Sequence, residues 1–251
     1  MCVIYVIIVI MESETDMNPR ERILQAAARL LAEGGREAVS TRAVSRAAGV
    51  QAPTIYRQFG DMQGLLDAVA SHGYATYLAR KRERAPRHDP VEDLRQGWNL
   101  HIDFGLANPA LFTLMYGNPR PGTPHPAAAE LQDALLGQVR RIAEAGRLCV
   151  GVERAADMIH AAAVGVVLVL LGQGGARGDQ TLAVATREAV LAAITTDPQT
   201  VSPHARPASR SDVTRHAVAL KASLSQDAGS FTTAERALFS EWLARFIDTE
   251  P

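Results

Sequence analysis

The sequence predicts an all-α protein with a small N-terminal group of helices followed by a larger helical region. Three observations lead to this fold class. Apolar residues recur at helical spacing from Pro19 onward, residues that favour helix starts precede these segments, and Gly or Pro marks the breaks between them. With 251 residues, of which 47% are hydrophobic, the chain is long enough to bury a substantial core.

The first predicted helix follows Pro19 and ends at Gly34 and Gly35. Its apolar residues lie at i, i+3, i+4, i+7 and i+8, which places them on one helix face: Ile23, Ala26, Ala27, Leu30 and Leu31. Glycine interrupts helices because it adopts conformations that other residues avoid. We therefore expect an amphipathic helix that packs by this face.

Three further helices follow closely in the sequence. Ser40 is a favourable N-cap for a short second helix, and Gly49 suits the left-handed residue that ends it. The third helix runs from about Pro53 to Phe59, because proline is tolerated in a first turn. Asp61 is the expected N-cap of the fourth. These short, closely spaced helices predict a compact trihelical unit and the start of a longer helix.

The rest of the chain is also predicted to be helical. One helix opens at Asp89 and Pro90, and a short one runs from Asn108 and Pro109 to Gly117. The remaining predicted helices are Ala127 to Ala145, Glu153 to Leu171, Asp179 to Thr195, Asp212 to Ser225 and Thr232 to Ile247. The segments 118–126 and 196–211 are rich in Pro and other turn residues and are predicted to be a loop and a linker.

Charge and cysteine content restrict the classes of function. The net charge is -1, so any nucleic-acid affinity must come from a local patch. Residues 18–80 contain 8 Arg and 5 acidic residues, a local charge of +3. The two cysteines, Cys2 and Cys149, have neither metal-ligand nor disulfide-framework spacing, which fits a reducing cytoplasm.

The run STRAVSRAAGVQAPTIYRQFGDMQGLLDAVA, Ser40 to Ala70, resembles the signature of the TetR family of transcriptional regulators. It contains a Thr-opened helix, an Ala-Gly-Val turn, a Tyr-x-x-Phe recognition helix and a Leu-Leu pair. The resemblance is specific over Arg20 to Ala70 and only architectural beyond. It implies a helix-turn-helix DNA-binding domain joined to a helical domain that binds a small molecule and dimerises. The expected function is a repressor that a small, apolar effector releases from a double-stranded DNA operator.

The resemblance assigns structural and DNA-binding roles within this segment. Gly49 permits the turn, Val50 fills the space between the helices, and Ile55 and Phe59 hold the recognition helix to the core. The expected DNA-binding residues are Thr41, Arg42, Gln51, Pro53, Thr54, Tyr56, Arg57 and Gln58. Arg suits guanine, Gln suits adenine, and hydroxyl groups suit phosphates. The family commonly has a Lys at the position of Met62, so one expected phosphate contact is missing, and the N-terminus of the fourth helix is the expected partial substitute.

The effector site is predicted in the larger domain. Large apolar groups with a few polar tips between Trp98 and Tyr116, together with a histidine in an apolar helix, suit a ligand cavity. The expected ligand-binding residues are Trp98, His101, Phe104, Phe112, Met115, Tyr116 and His160. Aromatic residues at helical spacing are also typical of a core, and a lone histidine in an apolar helix is more often buried and satisfied than a ligand contact.

Dimerisation is assigned to the apolar helix 153–171 and to the helix 179–195. The first is apolar on nearly every face, so it must be buried inside the subunit and against a second surface. Ala162, Ala163 and Gly165 would allow a second helix to approach closely. A membrane segment is the alternative, but Asp157 and His160 interrupt it and the fully apolar run is shorter than the roughly 20 residues required.

The predicted domains are 1–17, 18–70, 71–196 and 197–251. Residues 1–17 are expected to be disordered or to precede the true start at Met11 or Met17, with a membrane anchor as the alternative. Residues 18–70 form the DNA-binding domain and 71–196 the effector-binding and dimerisation domain. The last range contains a linker and two helices. No membrane association is expected.

Three alternative interpretations remain open. An enzyme is disfavoured because the glycines at 172 and 174 lack a third at position 177, where Arg177 stands, so no dinucleotide-binding loop is formed. No phosphate-binding loop, nucleophile elbow, cofactor motif or metal-ligand set is apparent in the sequence. The second alternative is a DNA-binding helical protein without an effector. The third is that the three short helices only pack together and that their Arg residues merely solvate a surface.

Overall fold

A computed structural model describes residues 18–85, 87–117, 126–175, 181–196, 210–224 and 231–248. Eleven helices lie within these ranges, and no strand does. The helices are α1 Pro19–Ala38, α2 Thr41–Ala48, α3 Ala52–Phe59, α4 Met62–Arg82, α5 Pro90–Ala107, α6 Pro109–Tyr116, α7 Pro126–Glu144, α8 Val152–Gly172, α9 Thr181–Ile194, α10 Arg210–Leu224 and α11 Thr233–Asp248. The all-α prediction is confirmed. The predicted loop 118–126 and linker 196–211 lie mostly outside the described residues.

Local capping interactions fix the starts of several helices. Asn18 and Glu21 form a reciprocal capping box at α1, in which the Glu21 N–H donates to Asn18 Oδ1 at 3.0 Å. Thr232 and Glu235 form the predicted box at α11. The end of α1 lies later in the chain than the predicted end at Gly34 and Gly35. Gly35 has φ 68°, which interrupts the helix, but a last turn continues to Ala38.

The described residues divide into two compact units. Unit 1 comprises 18–83, 103–117, 126–130 and 168–175, and unit 2 comprises 84–85, 87–102, 131–167, 181–196, 210–224 and 231–248. Helices α5, α7 and α8 each contribute residues to both. The predicted division at residues 70 and 196 follows local composition and stays a prediction.

The core of unit 1 contains the trihelical segment and the start of α4. Its fully buried side chains come from α1, α2, α3 and α4: Ile23, Val44, Ile55 and Leu65. Helix α6 packs on the same core through Ala110, Leu111 and Leu114. Gly73 of α4 makes this packing close, because a Cβ atom there would lie 2.8 Å from both methyl carbons of Leu111. Unit 1 therefore extends the trihelical core by a helix that is distant in sequence.

Unit 2 has an apolar core with two buried charged side chains, Asp93 of α5 and Arg215 of α10. Asp93 of α5 is only 5% exposed, and its carboxylate accepts from Arg141 of α7 at 2.8 Å and from Arg84 at 3.3 Å. A buried carboxylate requires such partners because desolvation of an isolated charge is costly. On the exposed side of α5, Arg95 binds Glu188 of α9 in a bidentate pair with distances of 3.0 to 3.2 Å. These pairs fix α7 and α9 against α5.

Helices α10 and α11 pack against each other within unit 2. Ala217, Leu224 and Leu243 are buried between them, and Phe239 and Ile247 pack on this cluster. Ile247 also approaches the segment before α8, since a Cβ atom at Gly151 would lie 3.4 Å from its Cγ2. The two C-terminal helices predicted from the sequence are therefore part of unit 2.

Candidate nucleic-acid interface

The turn between α2 and α3 has the backbone geometry predicted from its sequence. Ser40 Oγ accepts from the Ala43 N–H at 3.3 Å and starts α2. Gly49 ends α2 in the left-handed conformation with φ 63° and ψ 39°, which disfavours residues with a Cβ atom. Val50 packs against the core of unit 1 directly after this turn. This glycine therefore directs the chain into α3.

Helix α3 has one face in the core and one face in solvent. Ile55 is fully buried, and Phe59 packs on the core while half-buried. On the other face, Tyr56 is 46% exposed. Of the predicted DNA-binding residues, those that the structure leaves exposed are Arg42, Gln51, Pro53, Tyr56 and Arg57, whereas Thr41, Thr54 and Gln58 are half-buried. The buried face anchors the helix and leaves its other side available for contact.

A hydrogen bond joins the two helices at this surface. Thr41 Oγ1 lies 3.0 Å from the Tyr56 hydroxyl oxygen, and either group can donate. Thr41 is the first residue of α2 and Tyr56 lies in the middle of α3. The contact holds the Tyr56 ring beside the start of α2. The sequence indicates a DNA-contact role for each residue but does not predict that they bind each other.

Four arginines of unit 1 offer positive charge in the same segment. Arg20, Arg42, Arg46 and Arg57 are exposed, and none forms an ion pair with a carboxylate among the described residues. In the sequence, Arg20 and Arg46 contribute to the prediction only through the local charge. Unpaired exposed arginines are well suited to phosphate or guanine. The segment therefore combines a fixed helix pair with available cations.

The corner between α3 and α4 is unusually tight. A Cβ atom at Gly64 would lie 2.1 Å from the Phe59 carbonyl oxygen, so only glycine fits. Asp61 Oδ1 accepts from the Gly64 N–H at 2.7 Å and caps α4. The Asp61 carboxylate thus occupies the helix N-terminus that the sequence suggested as a substitute phosphate site. The half-buried Met62 packs on the core.

Four of the seven predicted ligand-binding residues lie in unit 1. Phe104, Phe112 and Tyr116 belong to an aromatic cluster with Tyr74 and Tyr77 of α4. Ring centroids are 4.9 Å apart for Tyr77 and Phe104 and 4.6 Å for Phe112 and Tyr116. Burial, followed by the nearby Tyr74 and Tyr77, raises the pKa of Tyr116 above its ordinary value. The fourth residue, Met115, contributes its carbonyl oxygen to the Tyr74 hydroxyl at 3.4 Å.

The other three predicted ligand-binding residues lie in unit 2. Trp98 and His101, one turn apart on α5, are 4% and 8% exposed. The Trp98 Nε1 atom is buried and has no hydrogen-bond partner among the described residues. His160 is exposed on α8, whereas its apolar helix suggests a buried histidine. Ala163, which the sequence assigned to close approach of a second helix, is buried within the subunit. Ala161 lies on the exposed face of α8.

Helix α8 is long and apolar enough to meet the length and composition criteria for a membrane span, a weak indication that core helices of soluble proteins also give. The segment before the glycines at 172 and 174 is helical up to Gly172, as the sequence predicted. A strand leading into a dinucleotide-binding loop is therefore wrong for this segment.

Comparisons with known proteins show what this segment and the fold are similar to. Residues 23–69 match the family model for bacterial regulatory proteins of the tetR family. No curated protein matches the chain. Solved structures match over most of the chain. A protein of unknown function from Rhodococcus sp. RHA1 is 25% identical, with a TM-score of 0.61, and the match covers 74% of this chain and 100% of that one.

Two further structures come from regulators. A putative tetR family transcription regulator from Shewanella sp. PV-4 is 18% identical, with a TM-score of 0.57, over 72% of this chain and 100% of that one. The transcriptional regulator FadR from Bacillus subtilis, solved in complex with stearoyl-CoA, is 17% identical, with a TM-score of 0.57, over 68% of this chain and 96% of that one. Residues 23–69 are thus a TetR-family helix-turn-helix domain, and the chain has the fold of a TetR-family transcription regulator.

Proposed function

We propose that this protein is a cytoplasmic, non-catalytic DNA-binding repressor that dimerises and is released from its operator by a small apolar effector. The observation that carries the proposal is the division of α3 into two faces. Ile55 is fully buried in the core, while Tyr56 is exposed and hydrogen-bonded to Thr41 at the start of α2. A recognition helix requires this combination of a fixed backbone and accessible side chains.

The predicted DNA-binding residues, exposed and half-buried, fall into two proposed roles. Arg42 is exposed and suits the O6 and N7 atoms of guanine, and Gln51 suits adenine. Thr41, Thr54 and Arg57 suit phosphates, which fix the register of the domain on the duplex. Pro53 and the Tyr56 ring suit a thymine methyl group, and Gln58 is the remaining proposed base contact. Phosphate contacts contribute affinity, and base contacts contribute specificity.

Two copies are proposed to pair through α8 and α9. Within unit 2, Ala161 is exposed and Gly165 has no atom within 4 Å of the position of a Cβ. On α9, Leu182 and Val184 are 37% and 50% exposed. These apolar positions are typical of a surface that a second helix pair covers. A dimer would place two recognition helices about 34 to 36 Å apart, one turn of DNA.

The proposed effector site includes Trp98 and His101 of unit 2. A buried indole N–H without a partner costs about 1 to 3 kcal/mol, and a ligand acceptor atom would remove that cost. Phe104, Phe112, Met115 and Tyr116 lie in unit 1 and are proposed separately as ligand contacts of that unit. Their packing against α4, and that of α6 on the helix-turn-helix core, supports a role in passing an effector signal to α3. His160, being exposed, is the least supported member of the set.

Linkage sets what the effector must do. If it weakens DNA binding by some factor, it binds the free protein better than the DNA-bound protein by the same factor. An effector with equal affinity for both forms would change nothing.

The DNA-binding part is tested by fluorescence anisotropy of the full chain. The duplexes are the region upstream of its own gene and a scrambled control, each at two salt concentrations. We expect Arg42→Ala and Tyr56→Ala to remove the preference for the upstream duplex while the protein stays folded. Both variants retaining wild-type affinity and selectivity would contradict the proposed reading face.

The effector part is tested on Trp98 itself. The chain has two tryptophans, so Trp242→Phe leaves Trp98 as the only indole fluorophore. Stearoyl-CoA and stearic acid are suitable first probes, because a structure of similar fold was solved with stearoyl-CoA. A saturable change in Trp98 emission that accompanies release from DNA supports a sensor. Release without any change in Trp98 emission would exclude Trp98 from the site.

A further inference from the structure

We propose that Arg20 binds a backbone phosphate of DNA at the C-terminal end of the recognition helix α3, the end at which Met62 leaves a phosphate contact unfilled. The inference rests on the proposed DNA binding and adds to it a residue that lies outside the helix-turn-helix pair, at the start of α1. Its ligand is the phosphodiester group, so it contributes affinity and register and carries no base preference.

The Arg20 guanidinium is held in place by an aromatic ring. Its central carbon lies 5.1 Å from the centre of the Phe59 ring. Phe59 is the last residue of α3 and packs on the core of unit 1, so the ring itself is fixed. A guanidinium stacked on a ring is restrained, yet the N–H groups at its edge stay available for oxygen acceptors. Arg20 is therefore positioned for an anion before the anion arrives.

The backbone at both ends of this contact is also fixed. The capping box of Asn18 and Glu21 sets the first turn of α1, where Arg20 lies. Gly64 allows the start of α4 to approach the Phe59 carbonyl oxygen closely, which fixes the corner after α3. The Arg20 contact thus joins two segments whose positions are set independently.

Two alternative phosphate-binding groups at the start of α4 are unsuitable. Met62 has no charge and packs on the core. The N-terminus of α4 is capped by Asp61, whose carboxylate accepts the Gly64 N–H at 2.7 Å, and a second anion there would be repelled. Arg20 is exposed, and among the described residues no carboxylate forms an ion pair with it. Two free positive charges therefore lie at this end. Arg57, in the last turn of α3, already has a proposed phosphate contact, and Arg20, over the Phe59 ring, is available for the contact that Met62 lacks.

A purely structural role for Arg20 makes a different prediction. If the guanidinium only joins α1 to α3 through Phe59, its loss lowers stability and leaves the electrostatics of DNA binding unchanged. A phosphate contact releases a counterion, so its loss lowers the slope of log affinity against log salt by about one unit for each contact. The salt slope separates the two roles.

The experiment is a salt titration of DNA binding by the full-length wild type and three variants, on the upstream and scrambled duplexes. Arg20→Ala should weaken binding to both duplexes about tenfold at low salt and reduce the salt slope by about one unit per bound subunit. Arg20→Lys should retain the slope, because it keeps the charge. Arg36→Ala, which removes an exposed charge from the other end of α1, should match the wild type.

Thermal melting of each variant completes the test. An unchanged slope in Arg20→Ala, with or without a lower melting temperature, overturns the phosphate contact and leaves the proposed DNA binding standing. An equal loss of slope in Arg36→Ala also overturns it, since the effect would then come from net charge alone. A wild type that binds neither duplex at low salt overturns the proposed function and this inference together.

Discussion

The hydroxyl groups of Thr41 and Tyr56 lie 3.0 Å apart, so that the first residue of α2 is bonded to an exposed side chain in the middle of α3. Both residues are candidates for DNA contact, and in the free protein they bind each other. The bond keeps the Tyr56 ring in one orientation before DNA arrives, which lowers the entropy that binding would otherwise cost.

We expect Thr41→Val and Tyr56→Phe to lower the free energy of unfolding by no more than about 1 kcal/mol each, because the hydrogen bond is at the surface. The double variant should lose less than the sum of the single losses, as for any two groups that interact. Urea denaturation of the four proteins measures this coupling. Strict additivity would show that the two hydroxyl groups do not interact in solution.

Gly64 is expected to tolerate no side chain. Gly64→Ala would place a Cβ atom 2.1 Å from the Phe59 carbonyl oxygen, so the corner between α3 and α4 must move. We predict a loss of about 1 to 3 kcal/mol in the free energy of unfolding, typical of overpacking. The matched control is Gly137→Ala in α7, where nothing lies within 4 Å of the new atom. Alanine should stabilise that helix by up to about 1 kcal/mol. Equal effects at the two sites would contradict the tight corner.

Asp93 is expected to be the most sensitive charged residue of unit 2. Asp93→Asn removes the buried charge that Arg141 and Arg84 face; because both arginines are partly exposed to water, we expect a loss of about 1 to 3 kcal/mol. Glu241→Gln, which breaks an exposed pair with Arg245 on α11, should cost at most about 0.5 kcal/mol. Chemical denaturation of both variants gives the comparison. Similar small losses would mean that water screens Asp93 as well.

Gly165 tests the proposed dimer surface. Because nothing lies within 4 Å of a Cβ at this position, Gly165→Leu should leave the subunit folded while preventing a second helix from approaching closely. Analytical ultracentrifugation should show a wild-type dimer and a shift toward monomer in the variant. Gly137→Leu, at another helix position with open space, serves as the control. An unchanged dimer in Gly165→Leu would move the interface away from this part of α8.

The sequence predicted the helices and their caps because both depend on residues close together in the chain. Ser40, Gly49 and Asp61 each form the cap expected of them. The contact of Arg20 with Phe59 could not be predicted, since it joins residues that only the tertiary fold brings together. The same holds for the packing of Leu111 of α6 on the helix-turn-helix core.

Residues on α8 show a second limit of the sequence. A helix that is apolar on nearly every face has no periodicity to indicate which side is buried. Ala163 is therefore inside the subunit and His160 outside, although both stand in the same apolar run. Helix α3 differs from α8, because apolar and polar residues are interspersed in its sequence and indicate which face is buried. In the structure Ile55 is fully buried and the adjacent Tyr56 is exposed.

The central claim is that the exposed face of α2 and α3 reads DNA sequence. Selection of binding sites from a pool of random duplexes tests it most directly, because the operator sequence need not be known. We predict that the wild type enriches a motif of two related half-sites about one helical turn apart, as two symmetric recognition helices require. Arg42→Ala, tested alongside, should lose the preference at one base pair of each half-site. Recovery of a random pool by the wild type, or of an identical motif by Arg42→Ala and Tyr56→Ala, would contradict the claim.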